Sequence, residues 1–176
     1  MRNLSLRIVF LASIALPLLP SAALAETRLA ALESKASIVP ILELTISEQA
    51  QSELKFGNVS TSILGPTVTN PKNVLLVINS NSGSKYVVTQ SLSGGLENGQ
   101  GQAIGLENLK FKTTSTNGTG SPVNALTTVT PAAQTVFASD EQGTSETISA
   151  EYQLTIPPSQ APGDYSALIT YTVSSV

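Results

Sequence analysis

The sequence predicts an all-β fold: a Greek-key-type β-sandwich of about eight short strands, preceded by a cleaved signal peptide. Three observations carry this. First, the closing stretch alternates: Tyr152, Leu154 and Ile156 against Glu151, Gln153 and Thr155, then Tyr165, Ala167, Ile169, Tyr171 and Val173 against Ser166, Leu168, Thr170, Thr172 and Ser174. Successive side chains of a strand point to opposite faces, so each run has one apolar and one mostly hydroxyl face. Second, Gly, Pro and Asn clusters punctuate the chain at short intervals. Third, no long stretch carries helical periodicity, and no fixed-period repeat points to a solenoid or propeller.

Taken in order, the chain opens Met-Arg-Asn-Leu-Ser-Leu-Arg, followed by an apolar run from Ile8 to Leu19 and then Ala23-Leu24-Ala25. A short basic start, an apolar stretch too short to span a bilayer and an Ala-x-Ala end read as a secretory signal peptide over residues 1–25. Residues 26–37 form a leader that fits either two turns of weak helix or a flexible segment. Residues 38–176 form the sandwich domain, long enough for a proper core. Without Arg2 and Arg7, the nine basic residues become seven against twelve acidic ones, a net charge of −5. That acidic balance, with no basic cluster, argues against nucleic acid as a partner. No second long apolar segment predicts an integral membrane span.

Ile38–Ile46 reads as a strand, with Pro40 placing its start at an edge. Leu54–Val59 reads as a second strand, with Leu54 and Phe56 on one face. Val74–Ile78 is a continuous apolar run suited to a strand covered on both sides. Lys85–Leu92 alternates Tyr86, Val88, Gln90 and Leu92 against Val87, Thr89 and Ser91. The glycines at 94, 95, 99 and 101 mark a loop, Leu106–Thr113 a strand, and Asn117–Pro122 a surface loop. Ala125–Phe137 reads as strand interrupted at Pro131. Ser145–Ile156 leads into the closing pair, whose connection holds Pro157, Pro158, Pro162 and Gly163. Direct pairing of these last two strands and a crossing between sheets both fit.

The chain has no His, Cys or Trp. Ser-His-Asp and Cys-His catalysis are excluded, as is a His- or Cys-based zinc site. The domain relies on its core rather than disulfides, and no cysteine offers a lipid attachment site. Asp140, Glu141, Glu146 and Glu151 could offer oxygens to calcium, but their spacing matches no loop motif. The sequence therefore predicts no catalytic residue, no cofactor and no metal. The four tyrosines occupy the apolar phase of their strands, which suits half-buried structural rings with hydroxyls at the rim. Two of them, Tyr86 and Tyr171, are the candidate surface-contact residues.

A set of motifs resembles a known family. Phe56-Gly57 is followed by Asn81-Ser-Gly83 and Tyr86-Val-Val-Thr-Gln90-Ser91, then a long Thr/Ser/Ala-rich middle. The close is Tyr-x-Leu-x-Ile-Pro, Pro-Gly-Asp-Tyr and Ile-Thr-Tyr-Thr-Val. This order resembles the WxL domain of bacterial surface proteins across most of Leu42–Val173. Tyr86 stands near that family's first tryptophan and Tyr171-Thr172-Val173 where its Trp-x-Leu would be. The closing motif is also similar to exported pilin-like and spore-coat-like sandwiches. The resemblance implies a secreted, non-catalytic cell-surface or envelope protein, located at the cell surface, in the periplasm or outside the cell. Its partners would be a cell wall polymer or other surface proteins, including copies of itself. A fimbrial subunit using Ile38–Ile46 as a donor strand is the alternative, and a carboxylate-dependent hydrolase a third reading.

Overall fold

The computed structural model describes residues 35–47 and 56–176. The predicted signal peptide and all of the leader but Lys35–Ser37 lie outside these residues. The chain divides into Met1–Ser37 and Ile38–Val176, and the fold below is that of the second unit.

Twelve strands are described: β1 (Leu42–Ile46), β2 (Thr67–Val68), β3 (Lys72–Ser80), β4 (Tyr86–Leu92), β5 (Leu96–Glu97), β6 (Ala103–Ile104), β7 (Leu109–Ser115), β8 (Ser121–Pro122), β9 (Thr127–Thr128), β10 (Gln134–Ala138), β11 (Glu146–Ile156) and β12 (Ile169–Ser175). One sheet has the order β1-β3-β11-β7-β9, with β2 added to the end of β11; the other has the order β12-β4-β10-β8. β5 and β6 form a separate hairpin. All pairings are antiparallel. The all-β sandwich expected from the alternation is therefore the observed arrangement.

Alternation places the core. Along β11, Ile148, Ala150, Tyr152, Leu154 and Ile156 are buried while the residues between them are half-buried. Tyr86, Val88, Gln90 and Leu92 do the same on β4. These inner faces meet Leu76, Ile78, Phe111, Val136 and Phe137 in one apolar cluster. A period of two thus sends every second side chain to the shared interior. The closing pair crosses between sheets, since β11 belongs to the first and β12 to the second.

Several elements differ from expectation. The strand expected over Ile38–Ile46 begins only at Leu42; Lys35–Ile41 has no assigned secondary structure. The expected strand Leu54–Val59 is not formed over its described part, where Phe56–Val59 is irregular. Gly57 has φ +76, outside the strand region. Val74–Ile78 is not covered on both sides: Val74, Leu76 and Ile78 are buried, while Leu75 and Val77 are only half-buried. Leu106–Asn108 is a 3-10 turn, with β7 beginning after it. The Ala125–Phe137 region splits around Pro131 into β9 and β10. The glycine-rich 94–101 loop carries the small β5–β6 hairpin, closed by the Asn98 side chain accepting from the Gln100 and Gln102 backbone amides.

Gly143 shows what one turn requires. It is buried at φ +60, and a Cβ there would lie 1.9 Å from the Ser84 carbonyl oxygen. Only glycine fits where the Asp140–Thr144 turn closes on the β3–β4 connection.

Candidate functional site: a groove at an open sheet edge

β12 ends its sheet, with β4 on one side and no hydrogen-bonded strand on the other among the described residues. Residues of an antiparallel pair alternate between exchanging hydrogen bonds with the partner and facing away from it. Ser93 N–H donates to the Leu168 carbonyl at 3.1 Å, and Val176 N–H to the Lys85 carbonyl at 2.9 Å. With Ile169 opposite Leu92 and Ser175 opposite Tyr86, this phase turns the even-numbered residues of β12 toward β4. The backbone N–H and C=O groups of Ile169, Tyr171 and Val173 therefore face the open edge. Their side chains are half-buried and packed against the core.

A cavity of about 1050 Å³ runs beside this edge. Val74, Leu154 and Ile156 line it from the first sheet, Leu92, Ile169 and Tyr171 from the second, and Leu96 and Ile104 from the hairpin. Two irregular segments complete its walls: Phe56–Thr61 and Gln160–Leu168. Tyr165 fixes the second, its hydroxyl donating to the Ala161 carbonyl at 2.9 Å and accepting from the Gln160 amide at 2.8 Å. On the first sheet β1 covers β3 only as far as Ser47, whose N–H donates to the Leu75 carbonyl at 3.0 Å. Beyond it, the outer edge of β3 at Lys72–Val74 has no strand neighbour among the described residues.

The other side of the sandwich is different. β8 and β9 end the two sheets with two residues each. Very short edge strands are one way of blunting an edge against strand addition. β12 is longer, at seven residues, and β1 lies near it without pairing to it.

The two candidate contact residues are not brought together. Tyr86 is wholly buried, so its ring offers no surface to a partner. It stands with its centroid 6.2 Å from that of Phe137, and its hydroxyl donates to the Thr144 carbonyl at 2.9 Å. Burial, helped by the charges of Glu146 and Asp140, pushes its pKa up to about 12. Tyr171 is half-buried in the groove wall. Its hydroxyl meets that of Tyr152 at 2.5 Å, and Tyr152 also donates to Gln90 Oε1. Burial pushes Tyr171 up to about 12, and burial together with the Tyr171 hydroxyl raises Tyr152 further.

Sequence reasoning passed over Gln90 and Tyr152 as a polar pair. The available signal was a glutamine in the apolar phase of β4. Gln90 Nε2 and Gln134 Oε1 are buried without a protein partner, although the two residues are directly opposed across β4 and β10.

The carboxylates do not converge. Asp140 accepts from the Thr144 hydroxyl at 2.6 Å and its N–H at 2.9 Å, which holds its pKa below the ordinary value. Glu141 pairs with Lys85 at 2.8 Å and Glu151 with Lys112 at 3.0 Å. Glu146 is buried and accepts from Ser115 and Thr119 hydroxyls and from the Asn117 and Thr147 amides. Burial alone would raise its pKa, but these four bonds together bring it below the usual carboxylate value. Among the described residues no three or more His, Cys, Asp or Glu side chains gather as a metal site, and no helix is long and apolar enough to cross a membrane.

No family model matches the chain, the WxL family included, and no curated protein matches it. Among solved structures, it is similar to the P pilus rod subunit PapA, 16% identical over 76% of this chain and 99% of that one, with a TM-score of 0.43. It is also similar to a family 123 glycoside hydrolase from Clostridium perfringens, 20% identical over 76% of this chain and 24% of that one, with a TM-score of 0.39. The chain spans about a quarter of the hydrolase's length.

Proposed function

We propose that this chain is an exported, non-catalytic structural subunit of the fimbrial kind, which assembles with copies of itself by strand addition at β12. The observation that carries this reading is the pairing of an open edge with an apolar groove. Ile169, Tyr171 and Val173 offer backbone groups with no strand partner among the described residues, and the groove beside Ile169 and Tyr171 has an apolar lining into which alternate side chains could reach. An added strand uses both: main-chain bonds supply affinity, and pockets for every second side chain supply specificity.

The donor expected at Ile38–Ile46 is revised, because Leu42–Ile46 is already paired with β3 in its own chain. Asn81 pins the stretch just before it, accepting from Ile41 N–H at 2.5 Å and donating to the Val39 carbonyl at 3.2 Å. Ile38 and Val39 remain 84% and 71% exposed, large apolar side chains with nothing covering them. Upstream, Ala30, Leu32, Ala36 and Ile38 share one phase of a period of two. This is the pattern an inserted strand needs. An arm on one molecule and a groove elsewhere on the next make a head-to-tail contact that does not close on itself.

The processed chain, residues 26–176, should form a concentration-dependent ladder of species. Leu32→Asp with Ile38→Asp places charges in the inserted phase and should leave monomers with an unchanged melting temperature. A ladder that survives both substitutions refutes the arm as donor.

A further inference from the structure

One wall of the groove is a segment of the same chain that forms no strand. Phe56–Thr61 lies along the cavity, with Phe56 and Val59 half-buried against the core and Gly57, Asn58, Ser60 and Thr61 exposed. Two apolar side chains thus reach into a space bordered by an open strand edge. Yet the segment forms no strand, and no backbone group of Phe56–Thr61 is hydrogen-bonded to another described residue. Among the described residues the edge groups of Ile169, Tyr171 and Val173 have no partner even with this segment alongside.

We propose that Phe56–Thr61 is a resident plug, anchored by the Phe56 and Val59 side chains, which an incoming strand of a second copy displaces. The inference rests on the strand-addition reading and adds the step that controls it. A plug without ladder bonds covers apolar floor that would otherwise be exposed to water. An incoming strand fills the same space and also pairs with β12, so it outcompetes the plug once seated. The backbone turns within the segment and is tied beyond its far end. Gly57 at φ +76 turns the chain just after Phe56. Beyond Thr61, the Ser62 carbonyl accepts from Ser159 N–H at 3.4 Å and ties the far end to the β11–β12 connection. Assembly is then limited by withdrawal of two side chains.

The test uses the processed full chain and a labelled synthetic peptide of residues 27–40 of the same sequence. Wild type should bind the peptide at a rate that levels off as peptide concentration rises, because plug withdrawal becomes limiting. Phe56→Ser with Val59→Ser should bind at least tenfold faster and should show severalfold higher fluorescence of a dye that reports exposed apolar surface. Asn58→Ala leaves both anchors in place and should match wild type. Circular dichroism and melting of each variant separate plug release from unfolding. Equal binding rates for wild type and a folded double variant overturn the plug while leaving strand addition intact. Higher dye fluorescence in the folded double variant, without peptide binding by either protein, overturns strand addition and with it the exchange.

Discussion

The Tyr171 hydroxyl lies 2.5 Å from the Tyr152 hydroxyl, joining the edge strand of one sheet to the central strand of the other. Tyr152 passes the link on to Gln90 on β4. This chain of three polar side chains crosses the interior between the two sheets, next to the groove. Its members are unequal. Tyr152→Phe strands two partners, Tyr171 and Gln90, in a buried site and should cost roughly 1–3 kcal/mol. Tyr171→Phe leaves the Tyr152–Gln90 bond in place and should cost about 1 kcal/mol or less. Denaturant unfolding of both single variants and the double variant gives the coupling, which is non-additive if the three act as a unit.

The same tyrosines make the fold sensitive to alkali. Tyr86 and Tyr171 are raised to about 12, and Tyr152 is raised as well. Folding holds the protonated forms more tightly than the unfolded chain does. The resulting stability is complete below the unfolded tyrosine value near about pH 10 and is lost as pH rises toward the folded values. Tyrosinate absorbance should show late-titrating residues, and melting temperature should fall over that window. Ionisation of Tyr86, Tyr152 and Tyr171 near the unfolded value contradicts this.

Glu146 works in the acid direction. Its four hydrogen bonds bind the Ser115–Thr119 turn to the start of β11 and hold its pKa below the usual carboxylate value. A depressed folded pKa contributes stability above the unfolded glutamate value near about 4.3, and that stability disappears as pH falls through the folded value. Glu146→Gln replaces one accepting oxygen with a donor facing donors. It should cost roughly 2–3 kcal/mol at neutral pH and flatten the acid limb of the stability curve. Thermal melts of both proteins from neutral to acidic pH test this.

Side-chain phase on β12 separates packing from surface. Ile169 is half-buried against the core, while Thr170 is exposed on the opposite face. Ile169→Ala should cost about 1–2 kcal/mol, less than a fully buried isoleucine, and Thr170→Ala within about 0.5 kcal/mol. Leu76→Ala, at a residue with no exposure, should cost roughly 2–5 kcal/mol. Melting temperatures in that order support the assigned phase, and a Thr170→Ala effect larger than Ile169→Ala reverses it.

What was legible in the sequence divides along physical lines. The period of two at Tyr86–Leu92 and Tyr152–Ile156 identified strands and their buried faces, because alternation and burial are the same fact in a sheet. Phe56–Val59 misled for the same reason: Phe56 and Val59 are apolar and reach inward, but with Gly57 turning the backbone between them no ladder forms. The groove was invisible. It depends on β12 being terminal in its sheet and on β1 stopping at Ile46, and strand order is set by contacts between residues far apart in the chain. Tyr86, expected as a surface contact, is buried by the same apolar phase that recommended it.

The open edge of β12 is the centre of the account, and one substitution addresses it directly. Val173 turns its N–H away from β4, so proline there removes an edge donor without breaking a ladder bond, whereas Thr172 donates toward β4. Proline is tolerated where the missing N–H faces out and not where it is paired. Sedimentation of the processed chain over a range of concentrations, with melting measured in parallel, should find wild type forming a ladder, Val173→Pro folded but monomeric, and Thr172→Pro destabilised. A folded Val173→Pro protein that assembles like wild type, or a wild type that stays monomeric at every concentration, contradicts the account.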